Sequence, residues 1–285
     1  MANQFRDLCY VRIATSDLQK SADYAADILG LQLFEKNDET AFFRSDDRAY
    51  SVCYSTSSND NAIAFTLATS DELYALSEMV EANGISVTQL TDADCVMRKI
   101  KSGWSCVAPN GIVVEFIWRP LTSGWRYHGP RDAGITEFQG VSLCCSDIAA
   151  NEKFWTEVIG LTVSDWAGDA CYLRFDDEAH HRLALYPSKK DGLFGVGFAV
   201  EGINNVMQNF YFFEGRQLPV IHGPGKQTAS GMMFVTTSGP DGILYTFGAG
   251  MAAGENRVPR QFPANPHTHC EWGSTTHQTE FLGER

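Results

Sequence analysis

The sequence predicts an α+β fold of two tandem domains, each made of two βαβββ units that form a cupped mixed sheet with helices outside. First, residues 16–31 recur as residues 146–161, at an offset of 130. Second, Pro109-Asn110-Gly111-Ile112 recurs later, in the same order, as Pro240-Asp241-Gly242-Ile243. Third, each half contains the sequence of a strand, a helix and three strands twice. Because a half-open sheet must cover its apolar face, we expect paired units to close around one cleft.

The first unit defines the pattern. Its opening strand is predicted at Leu8–Ala14, and its helix is capped by Ser16 or Asp17. Apolar residues recur on one face of this helix: Leu18, Ala22, Ala25 and Leu29. Gly30 is expected to end the helix. Three strands follow, at Leu31–Glu35, Ala41–Arg44 and Tyr50–Tyr54.

The second unit repeats this order. A strand is predicted at Ile63–Leu67, then a helix at Asp71–Ala82 ended by Asn83-Gly84, then strands up to Trp118. A stretch rich in glycine and proline separates the halves. We therefore predict an N-terminal domain at residues 1–124, a linker at 125–135, a C-terminal domain with the cleft at 136–262, and a tail at 263–285.

Composition narrows the functional class. Hydrophobic residues make up 44% of the chain and charged residues 20%, as in ordinary globular proteins. The net charge of −13, without a basic patch, argues against nucleic acid and anionic membranes as partners. The first 30 residues hold no apolar run of signal-peptide length. The eight cysteines form no CxxC pair, so we expect a reduced, cytoplasmic protein.

Several segments of the second half carry a family resemblance. Residues 137–143 (EFQGVSL) resemble a strand that opens a catalytic domain, residues 179–185 (AHHRLAL) a His-His-x-Leu-Ala strand, and residues 239–248 (GPDGILYTFG) a closing strand. Pro259-Arg260-Gln261-Phe262, leading to Trp272-Gly273, resembles the end of the same family. In these motifs, and over residues 5–262, the chain resembles the vicinal oxygen chelate superfamily (glyoxalase/bleomycin resistance/dioxygenase), specifically its two-domain type I extradiol dioxygenases.

The resemblance also indicates what the chain lacks. In such dioxygenases two His and one Glu hold iron(II) or manganese on one face of the metal. Motif matching places Gly140 and Gly195 at the His positions and Thr246 at the Glu position. The corresponding residues of the first half are Tyr10, Ile63 and Glu115. We therefore expect no metal and no other cofactor.

One acid–base group of the family is retained. His181 matches the family His that moves protons, while Gln227 and Thr236 stand where the family has a His and a Tyr. Strand alternation would send one of His180 and His181 into the cleft and the other outward. We predict His181 as the catalytic residue because imidazole titrates near neutrality, with simple retention of both histidines from an ancestor as the alternative. The predicted substrate-binding residues are Gly140, Ser142, Tyr172, Gly195, Gln227, Thr236 and Thr246.

Two further features remain open. The loss of two imidazoles and a metal leaves space, which is filled either by a larger ligand or by neighbouring aromatic residues: Trp155, Trp166, Tyr172 and Phe194. In the tail, His267 and His269 precede Cys270 and could share one side of an extended strand as metal ligands. Because prolines bracket this segment, we favour a packed or exposed tail beyond the fold.

The leading hypothesis is a metal-independent enzyme of aromatic or polyketide-like compound metabolism. It would act by acid–base chemistry of isomerase, lyase, hydratase or cyclase type in the C-terminal cleft. One alternative is a non-catalytic protein that binds an aromatic ligand. Another is a ring-cleaving extradiol dioxygenase with unrecognised metal ligands. The expected partner is a small aromatic molecule, without nucleic acid or membrane, and we expect a homo-oligomer.

Overall fold

A computed structural model describes residues 5–175, 177–254 and 258–282; the outermost residues of the predicted N-terminal domain and tail lie outside this part. The strands of the first half are β1 (Phe5–Ala14), β2 (Gln32–Lys36), β3 (Thr40–Arg44), β4 (Val52–Ser55), β5 (Ala62–Leu67), β6 (Thr88–Gln89), β7 (Ser102–Val107) and β8 (Val113–Trp118). They form one mixed sheet in the order β2-β3-β4-β1-β5-β8-β7-β6. Its helices are α1 (Leu18–Asp23) with a π-helical continuation (Tyr24–Leu29), α2 (Ser70–Ala82) and α3 (Asp92–Arg98).

The second half repeats the arrangement. Its strands are β9 (Ile135–Cys145), β10 (Thr162–Ala167), β11 (Ala170–Arg174), β12 (Leu183–Pro187), β13 (Gly192–Val200), β14 (Val220–Lys226), β15 (Met233–Ser238), β16 (Leu244–Ala249) and β17 (Arg260–Phe262). They form a mixed sheet in the order β14-β15-β16-β13-β9-β12-β11-β10-β17. The helices are α4 (Ile148–Lys153) with a π-helical continuation (Phe154–Val158), α5 (Ile203–Gly215), α6 (Pro266–His269) and a 3₁₀ turn (Thr279–Phe281).

The prediction of four βαβββ units in two mixed sheets is confirmed. The second unit adds α3 between β6 and β7, and the C-terminal sheet adds β17 at its edge. The domain limits stay a prediction; β8 ends at Trp118 and β9 begins at Ile135. No helix in the described ranges is long and apolar enough to cross a membrane.

Local chemistry explains where the repeated helix begins and ends. The Asp17 carboxylate accepts a hydrogen bond of 3.0 Å from the Lys20 amide, and Asp147 does the same for Ala150 at 2.9 Å. Gly30 ends the first helix with a φ of 80°, a left-handed conformation that glycine adopts without steric cost. The predicted cap at Asp17 and the predicted stop at Gly30 are both confirmed.

The two halves share one apolar core. The Phe65 ring centroid lies 5.8 Å from that of Trp155, and Phe5 lies 6.1 Å from Phe175. Across the same boundary, the hydroxyls of Tyr54 and Tyr245 are 2.7 Å apart. The N-terminal half therefore packs directly against the C-terminal half.

Candidate functional site

The C-terminal sheet curves around a cavity that is lined mainly by β9, β12, β13, β15 and β16. The volume of this cavity is about 70 Å³. The side chains that line it include polar, imidazole and aromatic groups: Gln139, Ser142, His181, Tyr186, His222, Gln227, Thr236, Thr246, His269 and Phe281. Gly140 and Gly197 contribute backbone to the wall.

The strand register corrects one predicted site residue. Gly197 lies opposite Gly140 on β9 and opposite Thr246 on β16, and all three line the cavity. Gly195 is paired instead with Ser142 and Leu244, one step along the sheet. A side chain at Gly195 would place its Cβ only 3.1 Å from the Leu244 carbonyl oxygen. The position opposite both Gly140 and Thr246, which motif matching gave to Gly195, is therefore that of Gly197, and Gly195 is not among the residues that line the cavity.

His181 lines the cavity as predicted, but the strand alternation expected for the His pair is wrong. β12 begins only at Leu183, so His180 and His181 lie in the bend before it and both are buried. Their Nδ1 atoms are 3.0 Å apart, and His180 Nε2 lies 2.7 Å from Asp165 Oδ2. The side chains of both adjacent histidines are therefore buried in the protein.

The expected titration of His181 near neutrality is also wrong. Burial lowers the pKa of His181 well below 6.5, and electrostatic interactions with His180 and Arg182 lower it further. At neutral pH the imidazole is therefore uncharged. It can accept a proton but holds none to give up as an imidazolium.

The uncharged polar side chains at the cavity are hydrogen-bonded to one another and to residues behind the wall. Thr236 and Thr246 share a hydroxyl–hydroxyl hydrogen bond of 2.8 Å. Gln227 Nε2 donates to the Tyr172 hydroxyl at 3.1 Å, and the Ser230 hydroxyl donates to Gln227 Oε1. Ser142, Gln227, Thr236 and Thr246 thus line the cavity as proposed, whereas Tyr172 lies behind the wall and orients Gln227.

The aromatic residues named from the sequence divide into two sets. Tyr172 and Phe194 belong to the apolar cluster beside the cavity. Trp155 belongs to the core shared with the N-terminal half, and Trp166 packs against that core with its Nε1 donating to Glu152 at 3.0 Å. The tryptophans therefore do not fill the space left by the glycines.

The tail contributes wall residues that the sequence did not indicate. His269 lies at the end of α6, is 4% exposed and lines the cavity, while His267 is exposed. Phe281 lines the cavity as well, and its ring stacks on His222 of β14 at 5.0 Å. The two tail histidines do not share a face, and the tail packs against the C-terminal sheet, where His269 and Phe281 line the cavity.

The corresponding face of the N-terminal sheet is filled. Tyr10 donates to Glu115 Oε2 at 2.6 Å, and Arg98 Nε donates to Glu115 Oε1 at 2.7 Å. The Tyr10 ring stacks on Tyr50 at 4.7 Å. Glu115 is fully buried in this network, and Ala64, rather than Ile63, lies opposite Tyr10 and Glu115. This carboxylate is a structural group that closes the first cleft.

The buried cavity histidines predict a loss of stability in acid. Burial lowers the pKa of both His222 and His269 to about 4. Because the unfolded chain binds these protons near pH 6.5, the free energy of unfolding should fall as pH drops from about 6.5 to about 4, by up to ~3 kcal/mol for each group. Urea unfolding across this range measures the effect. His269→Gln should make the free energy of unfolding less dependent on pH, whereas His267→Gln, at an exposed position, should not. The same pH dependence in the wild type and both variants would contradict this assignment.

Comparisons with known proteins show what the chain is similar to. Residues 137–247 match the model of the Glyoxalase/Bleomycin resistance protein/Dioxygenase superfamily, and residues 8–53 match that of the dihydroxybiphenyl dioxygenase BphC D1 domain. The chain is 23% identical over 264 residues to a 3-methylcatechol 2,3-dioxygenase from Pseudomonas putida, covering 85% of this chain and 89% of that protein.

Solved structures agree with this superfamily fold. BphC, a halotolerant catechol dioxygenase, superposes with a TM-score of 0.86 at 20% identity, covering 98% of this chain and 97% of that one. An Mn(II)-bound glyoxalase from Novosphingobium aromaticivorans gives a TM-score of 0.86 at 21% identity, covering 100% and 96%. The chain thus shares the fold of these proteins.

The residues at the family's metal position do not fit iron or manganese. Gly140, Gly197 and Thr246 meet there, and none offers an imidazole or carboxylate. A Cβ at Gly140 would lie 2.7 Å from the Arg182 carbonyl oxygen, so the backbone occupies the space a His would need. Within the described residues no cluster of three or more His, Cys, Asp or Glu has metal-binding geometry.

Proposed function

We propose that the protein is a metal-independent enzyme that binds a small hydroxylated aromatic molecule in the C-terminal cavity and removes a proton from it with His181. The observation that carries the proposal is the His181 imidazole at the wall of the cavity, with its Nδ1 atom 3.0 Å from Nδ1 of His180. Its other nitrogen, Nε2, is then the atom available to a ligand. A positioned base of this kind contributes roughly a hundred- to ten-thousand-fold in rate.

The chemistry of the cavity wall supports an uncharged or phenolic ligand. Among the described residues that line it, none is Asp, Glu, Lys or Arg. Burial raises the pKa of Tyr186 to about 12, so this phenol also stays neutral. The Thr236–Thr246 pair and Gln227 can exchange hydrogen bonds with hydroxyl or carbonyl groups, and the rings of Phe281 and Tyr186 offer flat apolar contact. The described lining residues therefore offer no cationic side chain to a ligand that bears a carboxylate.

The relatives support the aromatic class of ligand. The aligned protein from Pseudomonas putida is named for 3-methylcatechol, a small ring with adjacent hydroxyls. The aromatic rings of Tyr186 and Phe281 at the cavity, together with the absence of metal-binding side chains at Gly140, Gly197 and Thr246, favour proton transfer to or from a phenol or aryl ketone over ring cleavage with oxygen. Isomerisation, lysis, hydration and cyclisation can all use such a transfer.

Elemental analysis tests the metal-independent part of the proposal. Purified protein is expected to contain no stoichiometric iron, manganese or zinc, because Gly140, Gly197 and Thr246 supply no ligand at the family's metal position. Its melting temperature should not change on treatment with a chelator, since no coordination energy is linked to folding. One tightly bound metal ion per chain, with a melting temperature that falls on chelation, would instead support the dioxygenase alternative.

Deuterium exchange tests the catalytic part without knowledge of the final product. The protein is incubated in D₂O with a panel of catechols and hydroxylated aryl ketones, and mass spectrometry measures deuterium incorporated into each recovered compound. An enzyme of the proposed type accelerates exchange at one carbon of at least one compound. A protein that binds a panel member, measured by calorimetry, without accelerating exchange would be the non-catalytic binder.

A further inference from the structure

The side chain of Phe281 is surrounded by other aromatic rings at the cavity wall. It stacks on His222, with the ring centroids 5.0 Å apart and the ring planes 28° apart. Tyr186 and Phe194 each meet the Phe281 ring at a centroid distance of 5.4 Å. Separations of this size are those at which aromatic rings attract one another. His222, Tyr186 and Phe194 therefore form a place for one six-membered ring, which we call the ring site.

The cavity next to the ring site has less room than an aromatic ring needs. Its volume is about 70 Å³. An engineered apolar cavity that takes up benzene in another protein measures about 150 Å³, and a catechol carries two hydroxyl groups in addition to the ring. Because protein interiors are close-packed, a residue of the wall must move before the proposed ligand can bind.

The 3₁₀ turn that carries Phe281 is only weakly tied to the C-terminal sheet. Its two backbone hydrogen bonds, of 3.0 and 3.1 Å, join residues 278–282 to one another. The part of the tail that carries His269 differs, because the Glu271 amide donates to the Lys226 carbonyl oxygen of β14 at 2.7 Å. Segments without backbone hydrogen bonds to their neighbours open at a low cost in free energy. Phe281 is therefore a wall residue that can move without breaking the sheet.

One carboxylate joins this turn to the sheet. Glu280 Oε1 accepts a hydrogen bond of 2.7 Å from the Ser188 hydroxyl, next to the end of β12, and lies 3.9 Å from the Cys144 thiol. Glu280 Oε2 accepts hydrogen bonds from Gln278 and Thr279 within the turn itself, at 2.5 and 3.1 Å. Among the described residues, Ser188 thus makes the short polar contact that holds the turn against the sheet.

We infer that the ring site is the aromatic subsite of the cavity, and that Phe281 occupies it until the ring of a ligand takes its place. This inference rests on the proposed function and deepens it. The substrate class is a monocyclic phenol or aryl ketone, because the ring site holds one ring. His181 and His222 line the same cavity, so a ring in this site shares the cavity with the proposed base. The tail competes with the ligand, and its withdrawal limits the affinity.

Phe281→Ala distinguishes a competing ring from a fixed wall. A ring that fills the site about nine-tenths of the time weakens ligand binding about tenfold, so Phe281→Ala should bind an aromatic probe at least ~10-fold more tightly than the wild type. A fixed wall that contacts the ligand predicts the opposite sign, because the substitution removes that contact. Calorimetric titration with 3-methylcatechol and with benzene, which lacks a hydroxyl proton, measures both affinities.

A matched control and a second variant make the test specific. Phe34→Ala removes the same ring from an exposed position on β2 of the N-terminal sheet and should leave both affinities unchanged. Ser188→Ala leaves the ring site intact but removes the hydrogen bond to Glu280. It should tighten binding by less than Phe281→Ala and speed hydrogen exchange at the Phe281 and Leu282 amides.

NMR of the wild type shows directly where the Phe281 ring lies. Nuclear Overhauser effects between the rings of Phe281 and His222 are expected without a probe, because the two rings are stacked. At saturation with 3-methylcatechol they should disappear, and effects between the probe and His222 should replace them. Persistence of the effects between Phe281 and His222 at saturation would overturn the inference.

The outcomes separate this inference from the proposed function. Equal or weaker binding of the probes by folded Phe281→Ala, or benzene binding to neither protein, overturns the aromatic subsite. Deuterium exchange that continues alongside such a result keeps the proposed function. Tighter binding of both probes without deuterium exchange by any form of the protein keeps the subsite and overturns the proposed function. If Phe281→Ala does not fold, Ser188→Ala decides, and unchanged affinities in that variant contradict the inference.

Discussion

Replacing Gly197 with Phe is expected to weaken binding of an aromatic ligand at least ~100-fold, about 3 kcal/mol, while leaving the protein folded. A Cβ at Gly197 would meet nothing closer than the Gly140 carbonyl oxygen at 3.6 Å, so the backbone tolerates a side chain there. A benzyl group at this point would fill the narrow space between Gly140 and Thr246. Calorimetric titration with 3-methylcatechol as the probe, together with the melting temperature, measures both effects.

A graded series and a control make this result specific. Gly197→Ala should fold as the wild type does and weaken binding less than Gly197→Val, which should weaken it less than Gly197→Phe. Gly215→Phe adds the same side chain in open space at the exposed end of α5 and should leave affinity unchanged. Wild-type affinity throughout the Gly197 series would mean that the probe binds elsewhere.

The features that the sequence predicted are those encoded within one repeat unit. The cap at Asp17, the stop at Gly30 and the order of elements depend on neighbours a few residues apart, and the repeat supplied each pattern twice. Gly140 and Thr246 were found because motif matches fix their positions in regular strands. These residues are indeed opposite Gly197 in the sheet.

The features that the sequence did not predict depend on contacts between distant segments. The register of β13 places Gly197, and not Gly195, opposite Gly140 and Thr246, and nothing in the local pattern marks it. His222 and Phe281 meet only because the tail folds back over β14. The link from His180 to Asp165 spans 15 residues and replaces the alternation that a continuous strand would impose. Each of these is decided by tertiary packing, which overrides local propensity.

His181→Gln is expected to lower the rate of ligand deuterium exchange by about a hundred- to ten-thousand-fold while retaining most of the affinity. The physical reason is that glutamine keeps a polar side chain at the cavity wall but has no lone pair of comparable basicity. One lost hydrogen bond should change the binding free energy by only ~1 kcal/mol. Exchange rates and calorimetric affinities for the same panel compound, in both proteins, give the two numbers.

The pH dependence assigns this loss to the imidazole itself. Burial lowers the pKa of His181 well below 6.5, and a base works only when unprotonated, so the wild-type exchange rate should be level through neutrality and fall only in acid. The exchange rate that remains in His181→Gln should not show this fall in acid. His267→Gln, which changes an exposed imidazole of the tail, is the matched control and should keep both rate and profile. Full exchange activity in His181→Gln would remove this residue from the mechanism; no exchange in either protein, with affinity intact, would identify a binding protein whose retained imidazole serves only to hold the ligand.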